Sequence, residues 1–174
     1  WTFAPVADLA RDPRWGRIVE GYGEDPLLSA AYVSHTVRGF QSSGVFSACI
    51  KHYIGYGATE GGRDYSGADV SPSVLYNCYL PPFKAAVDAG VDTVMVSFND
   101  VNGIPATASK ALVTDLLKKE LGFEGFVVSD WDSIGQLVTQ GVAADRREAA
   151  RMAFEAGVDM DMCSGCYSEH LPEL

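Results

Sequence analysis

Four short groups of polar and aromatic residues in this chain have side chains suited to binding and cleaving a polyhydroxylated ligand. They are Arg17, Lys51-His52, Phe98-Asn99 and Asp130-Trp131. Charged donors can grip pairs of hydroxyl groups, and aromatic faces can cover the apolar C–H face of a sugar ring. A carboxylate beneath such a ring can attack the anomeric carbon and form a covalent glycosyl intermediate. The residue types therefore point to chemistry on a neutral carbohydrate.

Asp130 is the residue best placed for this chemistry. The apolar run 126–128, bounded by Gly125 and Ser129, is typical of a short strand buried on both faces, as in a parallel sheet. Ligands bind at the carboxyl ends of parallel strands, where Asp130 would emerge. Asp130 or Asp132 could equally cap the following helix, and the spacing alone leaves both interpretations open.

The other candidates also have structural alternatives. Arg17 could pair with Glu20 or Asp12 to hold its own loop, His52 could be a hydrogen-bonded core histidine, and Trp131 could belong to the core. Such polar and aromatic groups recur at successive predicted strand ends, however. This recurrence favours one shared site over four separate structural roles.

Composition narrows the range of partners. The 174 residues carry 13 Lys and Arg against 23 Asp and Glu, a formal net charge of −10. This charge disfavours nucleic acid and anionic membranes and favours a neutral small molecule. No apolar stretch approaches the length of a membrane span, and the sequence leaves the oligomeric state open.

Cofactor and metal signals are weak. Neither GxGxxG after a strand nor GxxxxGK[ST] occurs, so we expect no nucleotide cofactor. Cys163-Ser-Gly-Cys166 is a lone CxxC pair without a second Cys or His pair, and with Cys49 and Cys78 we interpret these residues as ordinary thiols, with no metal site.

Helical patterns alternate with apolar runs along the chain. We predict strands within residues 2–9, 46–53, 91–98, 126–130 and 158–162, and helices over 26–41, 71–90 with an interruption at Pro81-Pro82, 109–121 and 145–157. In the first helix, the predicted apolar stripe consists of Leu27, Ala30, Ala31, Val37 and Phe40. Serial αβ units imply a parallel sheet, either part of a TIM (β/α)₈ barrel or most of a doubly wound sheet. We predict an α/β fold, a partial barrel with about five of the parallel strands and their helices.

Four motifs in order make the sequence similar to the family 3 glycoside hydrolases, and in particular to their periplasmic β-glucosidase branch. They are Arg-Asp-Pro-Arg-Trp-Gly-Arg-Ile-Val-Glu-Gly-Tyr-Gly-Glu-Asp-Pro26, Ile-Lys-His-Tyr53, Val-Met-Val-Ser-Phe-Asn-Asp-Val-Asn-Gly103 and Val-Val-Ser-Asp-Trp131. The resemblance implies a retaining, exo-acting β-glycosidase, most simply a β-D-glucosidase, with Asp130 as the nucleophile. The implied substrate-binding residues are Arg17, Lys51, His52, Met95, Phe98 and Trp131.

The chain departs from the family pattern at two places. Phe98 stands where many members have a tyrosine that hydrogen-bonds the nucleophile. The loop after Lys51-His52 reads Tyr-Ile-Gly-Tyr-Gly57 and lacks the Asp-Ser-His group of the N-acetylglucosaminidase branch. The resemblance therefore implies a simple glucoside or xyloside as the substrate.

The resemblance also implies that residues 1–174 are a partial catalytic barrel. We expect the upstream strands, and a downstream α/β sandwich domain that carries the acid/base, to lie outside them, the isolated chain to be inactive, and the location to be periplasmic or secreted. The expected partner is a small-molecule glycoside or oligosaccharide. The alternatives are a β-xylosidase, an inactive sugar-binding barrel, and a Schiff-base aldolase that uses Lys51.

Overall fold

A three-stranded parallel sheet lies at the centre of the fold. In the computed structural model, which describes residues 1–174, the strands are β1 (Cys49–Tyr53), β2 (Thr93–Val96), β3 (Asp100–Val101), β4 (Ile104–Pro105) and β5 (Phe126–Val128). The central sheet has the order β1-β2-β5 with both pairs parallel. An α/β fold with a parallel sheet is therefore confirmed.

The outer two of the five predicted strands are not regular strands. Val6 forms a single parallel bridge with Lys51, and Met160 forms one with Val128. The segments 2–9 and 158–162 thus extend the sheet at both edges without building ladders of their own. The three inner strands lie within the predicted ranges.

Helices surround the sheet. They are α1 (Pro26–Gln41), α2 (Pro72–Val74), α3 (Leu80–Asp88), α4 (Gln136–Thr139), α5 (Arg146–Ala156) and α6 (Cys166–His170), with π-helical segments at Leu75–Tyr79 and Ala111–Glu120. The second predicted helix is continuous rather than interrupted at its two prolines. The π-helical segment Leu75–Tyr79 precedes Pro81 and Pro82, so the helix changes its hydrogen-bonding pattern there instead of ending.

Helix α1 begins as the sequence indicates, but its buried face differs from the predicted stripe. The Asp25 carboxylate accepts a hydrogen bond from the Leu28 backbone N–H at 2.8 Å, and Pro26 occupies the first turn. The buried residues are Ser29, Val33 and Val37. Leu27 is 80% exposed, and of the predicted stripe only Val37 is fully buried.

The end of helix α5 also follows its local sequence. Asp145 accepts a hydrogen bond from the Glu148 N–H at 2.8 Å, and Gly157 ends the helix with φ of +103°. Ala149 and Ala153 are buried, whereas Phe154 is 59% exposed. No helix of the protein combines the length and the apolar character that crossing a bilayer would require.

The two faces of the sheet contact different clusters. Val94 and Val96 join a large core of 32 buried residues, whereas Met95 joins a small cluster with Cys49 and Val128. Side chains alternate across a strand, so these sets lie on opposite faces. All strands of the central sheet run in parallel, and their carboxyl ends therefore meet at one edge.

A short hairpin at this edge was not predicted. Strands β3 and β4 pair antiparallel around Asn102-Gly103, both with positive φ, which is the residue pair favoured in a tight hairpin turn. The Asn102 side chain also bonds both the N–H and the C=O of Val70, at 2.9 and 2.8 Å. The hairpin thus anchors the glycine-rich loop that follows β1.

Candidate active site

Asp130 lies immediately beyond the carboxyl end of β5 and is only 7% exposed. Its Oδ1 accepts a hydrogen bond from the Trp131 backbone N–H at 2.7 Å. Its Oδ2 is buried, makes no hydrogen bond, and lies 3.5 Å from Nε2 of His52. Burial raises the pKa of Asp130, and the neighbouring His52, the Trp131 backbone N–H, Arg17 and Lys51 act in the opposite direction.

His52 is one of the most buried polar residues of the protein, at 1% exposed. Its Nδ1 lies 2.7 Å from Oδ2 of Asp8, and its backbone N–H donates to the same oxygen at 3.3 Å. The opposite ring nitrogen faces Asp130. One imidazole therefore lies between two buried carboxyl groups.

Asp8 was missed by the sequence analysis. It follows the bridge residue Val6, and the Ala7 N–H donates to the Lys51 carbonyl at 2.6 Å, which brings this segment alongside β1. An acidic residue within the apolar run Pro-Val-Ala-Asp-Leu9 was the available signal. Its partner is distant in sequence, so the pattern alone could not identify the contact.

Arg17 is bound to Glu20, one of the alternatives that the sequence left open. Its Nε and Nη2 donate to the two carboxylate oxygens at 2.7 and 2.8 Å, and this pairing lowers the pKa of Glu20. The guanidinium also lies over the ring of Tyr56, 5.6 Å from its centroid. The guanidinium group of Arg17 is thus held beside the site by its two hydrogen bonds to Glu20.

Lys51 is half-buried, and its ammonium group makes no hydrogen bond or ion pair. Its charge is one of the influences that lower the pKa of Asp130, so the two groups lie near one another. An ammonium group free of protein partners is available to bind a ligand. Lys51 is not enclosed in an apolar pocket, the environment that a Schiff-base lysine requires.

Aromatic residues occupy two different positions at the site. Trp131 is 64% exposed beside Asp130, so it is not a core residue. Phe98 is buried and contacts Tyr65 and Tyr56 with ring centroids 4.7 and 5.8 Å apart. Met95 is also buried, in the small cluster on the sheet face beneath the strand ends.

A second layer supports the loop that carries Arg17. Trp15 is buried against Tyr56 at 5.3 Å between ring centroids, and its indole N–H donates to Asp64 at 2.6 Å. Gly57 has no room for a side chain, because a Cβ there would lie 2.1 Å from the Leu9 carbonyl oxygen. The two loops around residues 9–17 and 55–67 are therefore packed directly on one another.

The four cysteines are free thiols in this structure. Cys49 lies in the small cluster beside Met95, where burial raises its pKa to about 11. Cys163 is exposed and Cys166 is buried. Cys49 is the only one of the four whose pKa is affected by Asp130, and it makes no hydrogen bond to that carboxyl group.

Comparisons with known proteins agree on a family. The sequence pattern of the glycosyl hydrolase family 3 N-terminal domain matches residues 1–174. A periplasmic β-glucosidase from Salmonella typhimurium is 44% identical over 178 residues, covering 99% of this chain and 23% of the relative. A β-xylosidase from Formosa agariphila is 40% identical over 173 residues, covering 94% of this chain and 24% of the relative.

Solved structures give the same result. The β-glucosidase from Listeria innocua, determined in complex with glucose, superposes with a TM-score of 0.96 at 42% identity, covering 98% of this chain and 25% of that one. The chain thus spans about a quarter of the length of these relatives. With matching motifs, a matching fold and identities of 40% or more, the chain belongs to glycosyl hydrolase family 3, in its N-terminal domain.

Proposed function

We propose that this chain carries the nucleophile of a retaining, exo-acting β-glycosidase, with a terminal β-linked glucose as the preferred sugar. The observation that carries this proposal is the Asp130 carboxyl group at the strand end, with a buried Oδ2 that no protein donor occupies. An oxygen held in place but not hydrogen-bonded is suited to attack an electrophilic carbon. The capping alternative has less support, because the Asp130 side chain bonds only the adjacent Trp131 N–H.

In the proposed reaction, Oδ2 of Asp130 attacks the anomeric carbon of the non-reducing sugar. The glycosidic bond breaks, the aglycone leaves with a proton from an acid, and a glycosyl ester forms on Asp130. Water then attacks the anomeric carbon and gives up a proton to the conjugate base of that acid, the ester bond breaks, and the carboxylate is regenerated. Two inversions at the same carbon give overall retention of configuration.

We assign the acid/base to none of these 174 residues. Retaining enzymes place the two carboxyl groups about 5–5.5 Å apart. Near Asp130, Asp8 is buried and already bound to His52, and Glu20 is bound to Arg17. Neither carboxyl group is free to protonate a departing oxygen.

The sugar would contact the cationic and aromatic groups around Asp130. The free ammonium of Lys51 can donate hydrogen bonds to sugar hydroxyl groups. The guanidinium of Arg17 has further N–H groups that can donate to the sugar while it remains bonded to Glu20. Exposed Trp131 offers an aromatic face to the ring or to the aglycone. Phe98 and Met95 are buried, so we assign them to packing around and under the site, with any sugar contact confined to their edges.

We further propose that the sheet is part of a (β/α)₈ barrel. The single bridges at Val6 and Met160 support this extension, because they continue the parallel order on both sides of the three-stranded sheet. About five adjacent segments would then belong to one barrel wall, with the site at the carboxyl-terminal rim. The name of the Salmonella relative supports a periplasmic or secreted location.

A β-xylosidase is the second candidate, because relatives of both names match the chain at similar identity. The two sugars differ by one hydroxymethyl group. An inactive sugar-binding barrel is a weaker alternative, since it would not require a buried carboxylate with an unbonded oxygen.

Product analysis tests the proposal. Full-length protein would be incubated with nitrophenyl β-glucoside and β-xyloside, and the first anomer released would be followed by proton NMR. We expect the β-anomer to appear first and the glucoside to be the better substrate. Initial release of the α-anomer would contradict retention, and binding of glucose without turnover of either glycoside would favour the inactive barrel.

A further inference from the structure

The pair formed by Asp8 and His52 is not explained by sugar binding. Both side chains are 1% exposed, and Oδ2 of Asp8 lies 2.7 Å from Nδ1 of His52. The Asp8 carboxyl group has no second cation beside it, and its other oxygen is buried without a hydrogen bond. Burying an unpaired carboxylate costs free energy, so His52 is the partner that would offset the cost of burying Asp8.

The geometry determines which ring nitrogen carries a proton. Oδ2 of Asp8 already accepts the His52 backbone N–H at 3.3 Å, as expected for an ionised carboxylate oxygen, which only accepts. Nδ1 of His52 must then be the donor. In a neutral ring, Nε2 would present a lone pair to Oδ2 of Asp130, which lies 3.5 Å away and is itself an acceptor.

Two carboxylates on opposite sides of one imidazole are best satisfied when both ring nitrogens carry protons. We propose that Asp8 is a positioning residue that holds His52 as an imidazolium, with Nε2–H directed at the nucleophile. Asp8 would act on Asp130 only through His52. The positive charge would keep Asp130 ionised in a buried position, opposing the effect of burial on its pKa.

Several other titratable and charged groups lie near His52 and Asp130. The titratable and charged side chains that act on His52 or Asp130 are Asp8, Arg17, Glu20, Cys49, Lys51 and Tyr56. Arg17 is paired with Glu20, and burial raises the pKa values of Cys49 and Tyr56, so both stay neutral near pH 7. Within this group, Asp8 is the carboxylate bonded to His52 on the side away from Asp130.

This inference rests on the proposed role of Asp130, and Asp8→Asn is the variant that tests it. Asparagine has nearly the same shape and can still accept from Nδ1, but it lacks the charge that stabilises an imidazolium. Asp12→Asn is the matched control, because Asp12 lies in the following loop and pairs only with exposed Arg14.

The pH profile of kcat/KM separates a charge effect from a structural one. We expect Asp8→Asn to move the acidic limb of full-length enzyme upward by about one pH unit or more, the size expected when a nearby opposite charge is lost. The Asp12→Asn profile should match wild type. A lowered melting temperature with an unmoved acidic limb would show that Asp8 only supports the fold, and would overturn the proposal.

A second measurement needs no activity and no variant of Asp8. In wild-type protein with ¹⁵N-labelled histidine, the ring signals of His52, assigned by their loss in His52→Gln, should both be of the protonated type at pH 7.5. A free imidazole is mostly neutral at that pH, and exposed His35 serves as an internal reference. One unprotonated ring nitrogen on His52 would overturn the proposal, even if Asp130 proved to be the nucleophile.

Discussion

Nε2 of His52 and Oδ2 of Asp130 lie 3.5 Å apart, at ion-pair distance but too far for a well-formed hydrogen bond. Both side chains are almost completely buried, although β1 and β5 are separated in the sheet by β2. The oxygen that would attack the sugar therefore lies close to the His52 ring without accepting a normal hydrogen bond from the protein.

Asp130→Asn should reduce kcat by several orders of magnitude, because the amide cannot form the glycosyl ester and the reaction loses its covalent step. Asp132→Asn is the matched control, two residues further along the chain, and should retain most of the activity. Steady-state kinetics with a nitrophenyl glucoside measures both. Loss of activity in Asp132→Asn with near-normal rates in Asp130→Asn would contradict the assignment of Asp130 as the nucleophile.

The acidic limb of kcat/KM should have its midpoint above 3.8, the ordinary pKa of an aspartic acid side chain, because burial raises the pKa of Asp130. The nucleophile must be ionised to attack, so activity falls as the pH decreases through that raised value. A pH profile of the inactivation rate with a 2-fluoro-glucoside isolates the first chemical step. A limb at or below the ordinary value would mean that the surrounding cations outweigh burial.

Lys51→Ala should lower kcat/KM by roughly tenfold or more, because an unpaired ammonium beside the nucleophile is expected to hydrogen-bond sugar hydroxyl groups. Lys84→Ala is the control, since Lys84 pairs with Asp88 on the surface of α3. Both variants would be compared on the same glucoside. An efficiency within about twofold of wild type for Lys51→Ala would contradict its role as a sugar ligand.

Much of the local structure could be predicted from short sequence signals. The start of α1 at Asp25-Pro26 and the end of α5 at Gly157 depend on residues adjacent in the chain. The buried face of α1 could not be predicted as reliably. Which side of a helix is buried depends on where its partner α3 lies, and Leu27 faces away from it.

Likewise, only part of the candidate site could be predicted from local sequence. The position of Asp130 beyond a buried strand follows from the pattern of apolar residues, and the pairing of Arg17 with Glu20 spans only three positions. The contact between Asp8 and His52 joins residues 44 positions apart. It depends on the parallel bridge at Val6, which no local pattern indicates.

Burial of Leu117, on the π-helical segment Ala111–Glu120, in the main core provides a test of the fold. Leu117 is fully buried, so Leu117→Ala should lower the free energy of unfolding by about 2–5 kcal/mol. Leu27→Ala should change it by less than about 0.5 kcal/mol, because Leu27 is largely exposed. Urea unfolding of both variants measures the difference. Equal destabilisation by the two substitutions would contradict the orientation assigned to α1.

The most direct test of the central claim is to trap the glycosyl intermediate and locate it. Full-length protein would be inactivated with a 2-fluoro-β-glucoside carrying a good leaving group, digested, and analysed by tandem mass spectrometry. The account predicts a single fluoroglucosyl ester on Asp130, in the peptide that contains Val-Val-Ser-Asp-Trp131. A label on Asp132, on Asp8 or on any other carboxylate would contradict it.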